Sequence, residues 1–75
     1  MMPPVPVLSS GEVVKVLETF GWRVARPGNH IVMVREGSSA SLSVPNHREV
    51  ARGTLRSLIR SAGLTVEEFT AALDR

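Results

Sequence analysis

Apolar residues recur every three or four positions in the first third of the chain. Val13, Val16, Leu17 and Phe20 fall on one side, and Glu12, Lys15, Glu18 and Thr19 on the other. That period predicts an amphipathic helix with one face in a core. Its start is marked as well. In Leu8-Ser9-Ser10-Gly11-Glu12-Val13, Ser9 can cap, Glu12 can reach back, and Leu8 can staple onto Val13, while Gly21 supplies a left-handed stop. From Trp22 the period changes. Trp22 and Val24, then Ile31 to Val34, are bulky or β-branched runs separated by the turn signal Pro27-Gly28-Asn29, which predicts a hairpin. A second turn at Glu36-Gly37-Ser38-Ser39 leads into Ala40 to Pro45, where apolar residues alternate with serine and Pro45 ends the strand. One face of the resulting three-stranded antiparallel sheet should be solvated. After a polar connection, Leu55, Leu58, Ile59 and Ala62 return to helical spacing over Gly53 to Gly63. Thr65 with Glu68 repeats the capping-box pattern before a short third helix carrying Val66, Phe69, Ala72 and Leu73. The order is α-β-β-β-α-α, an α+β fold in which helices cover one side of a sheet.

Length and composition narrow what such a fold can do. Seventy-five residues make one small domain, expected to span residues 9–75, behind a flexible or extended lead-in at residues 1–8 that holds Pro3, Pro4 and Pro6. A chain this size buries only about 60% of its unfolded surface, so its active surface has to be shallow. The lead-in lacks the basic and long apolar segments of a secretory signal, and the apolar runs are too short to cross a membrane. The absence of cysteine excludes disulfides, thiolate zinc sites and a cysteine nucleophile, and fits a reducing, cytoplasmic setting. Net charge is only +2, but it is unevenly spread. Lys15 against Glu12 and Glu18 makes the first 22 residues acidic, as Glu67, Glu68 and Asp74 against Arg75 make the last fifteen. Between them, seven arginines (23, 26, 35, 48, 52, 56 and 60) face only Glu36 and Glu49. Arginine forks onto phosphate and stacks on bases, so the middle of the chain leans toward nucleic acid, although a solvated charged face has the same composition.

The chemistry-bearing residues are few. His30 and His47 are the two histidines, and no His-Glu-x-x-His or cysteine cluster accompanies them, so no metal is expected. The glycines stand singly at turns and caps, which leaves no phosphate loop or dinucleotide fingerprint and no expected cofactor. Arg48, Arg52, Arg56 and Arg60 are spaced by four. Arg56 and Arg60 should share the solvent face of the second helix, where like charges cost a few tenths of a kcal/mol and favour an anionic partner. His30 opens a strand directly after the Pro27-Gly28-Asn29 turn. Beside bound phosphate, an imidazole there could take a proton from a ribose 2′-hydroxyl or give one to the leaving oxygen. Taken alone, a strand-edge histidine is more often structural, and His47 reads equally well as an exposed loop residue.

Two segments carry a resemblance. Gly28-Asn29-His30, after Trp22-Arg23-Val24-Ala25-Arg26, and Val44-Pro45-Asn46-His47 followed by Gly53 to Leu64, with the opening helix from Ser9 to Gly21, resemble the HicA (YcfA-like) toxins of toxin–antitoxin pairs. The resemblance spans residues 9 to 69. It implies a fold like the double-stranded-RNA-binding domain, a two-layer α-β-β-β-α sandwich with a short extra C-terminal helix. It also implies an mRNA interferase, an endoribonuclease that blocks translation and is held inactive by a HicB-type antitoxin. The family's catalytic histidine corresponds to His30, Gly28 belongs to the turn presenting it, and His47, Thr54 and Arg56 occupy motif positions. Asn29 stands where the family has Ser, a replacement that turn geometry accepts.

The implied mechanism is metal-independent cleavage with His30 as general base or acid. Arg26, Arg35, Arg56 and Arg60 are expected to hold RNA, with Gly28, Asn29, His47 and Thr54 also in contact. A single-stranded message suits in-line attack by the 2′-hydroxyl better than a duplex does. The alternatives are a non-catalytic RNA-binding module of the same fold and an adaptor whose arginines meet only an acidic protein.

Overall fold

A computed structural model of the chain describes residues 5–73. The observed order is α1 (Ser10–Thr19), β1 (Trp22–Arg26), β2 (His30–Arg35), β3 (Ser41–Pro45), α2 (Arg52–Ser61) and α3 (Val66–Leu73). The α+β order implied by pattern and by resemblance is the one observed. The helix starts follow from capping. Ser9 Oγ accepts from the Glu12 amide at 3.2 Å, and the Ser9 amide donates to the Glu12 carboxylate at 2.9 Å. Thr65 and Glu68 make the same reciprocal pair before α3, at 3.0 and 2.9 Å. The second helix begins one residue earlier than its glycine suggested, and its N-cap, Ala51, provides no side-chain hydrogen bond. Gly21, at φ +94°, takes the left-handed stop after α1, a conformation that a β-carbon disfavours.

The sheet runs β1-β2-β3, antiparallel throughout. Val44 opposes Ile31, Leu42 opposes Met33, and Trp22 opposes Arg35. Opposed residues share a face. Trp22, Met33, Leu42 and Val44 are therefore the buried face, meeting Val13, Val16 and Leu17 of α1 and Leu55, Leu58 and Ile59 of α2. Contacts link α1 to β1 and β3, α2 to β3, and α3 to both helices. Phe69 is fully buried and ties α3 to that core.

The described part of the lead-in, residues 5–8, is held against the domain. Residues 1–4 lie outside those described. Val5 and Leu8 are core residues, 2% and 5% exposed. Leu8 pairs with Val50, whose amide donates to the Leu8 carbonyl at 2.7 Å, and Arg52 Nε donates to the Val5 carbonyl at 3.1 Å. Two apolar side chains, Val5 and Leu8, together with the bridge to Val50, pin this extended segment.

Candidate RNA-binding and catalytic site

The uncovered face of the sheet carries His30 and two arginines. In β2 the outward positions are His30, Val32 and Val34, opposite Pro45, Ser43 and Ser41 of β3. Arg23 opposes Val34 on the same face. Strict alternation from Trp22 and Val24 would turn Arg26 inward, beside them. The ladder instead slips between Val24 and Arg26, so that Arg26 opposes Val32. This bulge re-aims the side chain, as bulges beside functional sites commonly do. Arg23, Arg26 and His30, all exposed, thus share one open face.

His30 is held by its surroundings rather than by its own strand alone. The preceding turn passes through Gly28 at φ +145°, a backbone conformation that L side chains rarely adopt. Asn46 fastens this turn from across the sheet. Its amide donates to the Asn29 carbonyl at 2.9 Å, and its side-chain Nδ2 donates to the Gly28 carbonyl at 3.0 Å. The Asn46 Oδ1 accepts from Ser10 Oγ at 2.9 Å, and the Ser10 amide donates to the His47 carbonyl at 3.0 Å. A tight turn, His47 amide to Pro45 carbonyl at 2.9 Å, brings His47 out at the same end of the sheet as His30. The opening residue of α1, the entry to β2 and the exit from β3 are therefore laced together around the two histidines. Ser10 is the one buried polar residue of this lacing, and its hydroxyl is satisfied there.

The other expected contacts are dispersed. Arg35 lies on the core side, its guanidinium 4.9 Å from the Trp22 ring centroid, where it stacks on the indole. Arg52, Arg56 and Arg60 recur along α2, in the helical layer on the opposite side of the sheet from His30. Thr54 is half-buried in the first turn of α2, and Arg60 is exposed in its last turn, where it complements the helix dipole. The four arginines expected to form one RNA surface do not share a face. Sequence reasoning missed Arg23, Asn46 and Ser10 as site residues. Arg23 was legible from strand alternation, whereas the roles of Asn46 and Ser10 depend on contacts across 36 residues. Among the described residues no three His, Asp or Glu side chains gather to hold an ion, and no helix is long and apolar enough to cross a membrane.

With this geometry in view, comparison of the chain with protein families is decisive. The family described as HicA toxin of bacterial toxin-antitoxin matches residues 10–64. The chain belongs to the HicA toxin family. The matched span covers α1, the whole sheet, the His30 turn, Asn46, His47 and α2, so the lacing lies within it, while α3 and the described lead-in fall outside. As a HicA toxin it forms one half of a toxin–antitoxin pair. No curated protein matches the chain.

Proposed function

We propose that this HicA toxin is a metal-independent mRNA endoribonuclease in which His30 is the general base or acid. The observation that carries the reading is the position of His30: exposed, fixed by a fastened turn, and sharing the open sheet face with Arg23 and Arg26. A single-stranded RNA laid across this face has its phosphates between cations and an imidazole. The histidine then takes the 2′-hydroxyl proton as that oxygen attacks phosphorus, or protonates the departing 5′ oxygen. One such group contributes about 10² to 10⁴-fold in rate, enough for a slow enzyme that arrests growth. His47, Asn29 and Gly28 line the turn end of the same path, while Thr54, Arg56 and Arg60 engage more distant backbone from the helical side, and Arg35 supports the edge through Trp22.

The antitoxin partner we propose is of the HicB type, covering the His30 face with carboxylates in the cytoplasm, so that sterics and charge inhibit together. The test is induction of the wild-type chain and of His30→Ala in a bacterial host, with soluble expression of both confirmed. Growth arrest with fragmented message, lost in His30→Ala, is expected. Toxicity shared by both chains would instead favour a non-catalytic RNA-binding module, and shared harmlessness would sink the ribonuclease reading.

A further inference from the structure

We infer that Asn46 is the positioning residue for His30: its hydrogen bonds to the Gly28–Asn29 turn set the imidazole against bound RNA. The inference rests on the catalytic reading of His30 above. Asn46 is exposed, so it contributes no core packing, yet it makes three hydrogen bonds of 2.9, 3.0 and 2.9 Å to segments far apart in sequence. Two of them end on the carbonyls of the residues immediately before His30. The third, from Ser10, anchors Asn46 to the start of α1, which is itself seated by the capping box. The backbone bond to Asn29 is available to any residue but proline at position 46, whereas the bond to Gly28 requires a side-chain donor at this length. Asparagine alone supplies that donor and, on the other atom of the same amide, an acceptor for the Ser10 hydroxyl. Gly28 has no side chain to limit its own freedom, so the Asn46 side-chain bond adds a restraint at the residue most able to move.

The experiment compares wild type, Asn46→Ala, Asn46→Asp, His30→Ala and the double variant His30→Ala/Asn46→Ala, with folding checked by circular dichroism. Cleavage of a short labelled RNA is followed at steady state, and backbone order parameters of Asn29 and His30 are measured by nitrogen-15 relaxation. Misplacing a reacting group by an ångström costs about 100-fold, so kcat should fall by about that factor in Asn46→Ala while KM moves little. Asn46→Asp keeps the acceptor for Ser10 but sets a second acceptor against the Gly28 carbonyl, and should lose kcat equally. In the His30→Ala background, Asn46→Ala should cost nothing further. The order parameters should drop from the rigid range of about 0.85 toward about 0.6 in both Asn46 variants. Wild-type kcat in either Asn46 variant, or a full further loss in the double variant, overturns the inference. Should the wild-type chain cleave no RNA, the catalytic reading of His30 fails by itself, and unchanged order parameters in Asn46→Ala would then overturn the positioning role independently.

Discussion

The proposed path of RNA over the protein is tested by salt dependence. Each phosphate neutralised on a single strand contributes about 0.7 to the slope of log affinity against log salt, because binding releases the counterion held there. The sheet face beside His30 presents two cations that are exposed and aimed by the register of β1, Arg23 directly and Arg26 through the bulge. Replacing both by alanine should therefore lower the slope by about 1.4. Between 50 and 200 mM salt the affinity of the parent should fall about sevenfold more than that of the double variant. The assay is fluorescence anisotropy with a labelled RNA of about six nucleotides, too short to cover the sheet face and also wrap round to α2, in a His30→Ala background that leaves the RNA intact. Arg56→Ala/Arg60→Ala is the matched control, since α2 lies on the far side of the sheet. It should leave the hexamer slope unchanged and reduce the slope only with an RNA of about twenty nucleotides. A hexamer slope that drops in the α2 variant and stays constant in the Arg23→Ala/Arg26→Ala variant would refute the path over the sheet and return it to the helix.

Two further outcomes concern stability. The Ser9 amide and hydroxyl hold the Glu12 carboxylate below its ordinary value of 4.5, the backbone bond being the larger cause. A lowered folded-state pKa gives a contribution that is complete above the unfolded value and disappears as pH falls through the folded one. Urea midpoints should thus decline more steeply below about pH 4.5 in wild type than in Glu12→Gln, and parallel curves would remove the capping box from the acid response. Phe69→Ala should cost about 3 to 5 kcal/mol, since the ring is wholly enclosed and sits on the helix that lies beyond the family-matched span. Set against the roughly 5 to 15 kcal/mol of a typical domain, a loss below about 1 kcal/mol in urea denaturation would show that α3 is a dispensable appendage.

Helix starts and faces were legible because their signals are local. Ser9 with Glu12 and Thr65 with Glu68 are separated by three residues, and the reciprocal bonds formed are those their spacing dictates. The faces of β3 were legible for the same reason, since alternation of serine with Leu42 and Val44 needs no knowledge of neighbours, whereas Ile31 to Val34 is apolar throughout and its faces appear only from pairing with β3. Alternation failed at Arg26. A bulge is a property of two paired strands, and nothing between Val24 and Arg26 announces it beyond the small side chain of Ala25. The burial of Val5 and Leu8 was not legible, because it depends on Val50 and Arg52, more than forty residues away. His30 could be singled out from the turn before it, but the reason that turn is stiff lies at residues 10 and 46, where each side chain taken alone reads as an ordinary loop or cap residue.

The division of labour within the sheet explains how so small a chain can spare a surface for chemistry. Trp22, Met33, Leu42 and Val44 point into the core, so the opposite face contributes little to burial and can carry arginines and an exposed imidazole without loss of packing. The cost appears at the ends of the strands, where the turn before His30 must be held without a core beneath it. Hydrogen bonds from Asn46 and Ser10 meet that need, and Ser10 lies at the boundary between the buried layer and the open face. A partner that covers the open face consequently leaves the core residues Trp22, Met33, Leu42 and Val44 untouched. Its binding free energy therefore adds to the toxin's own stability in proportion to the logarithm of its concentration over its dissociation constant, instead of being spent on refolding the site. On this reasoning inhibition and stabilisation by the antitoxin share one surface, and Arg23→Ala/Arg26→Ala, which weakens that surface's charge while sparing the core, should reduce both together.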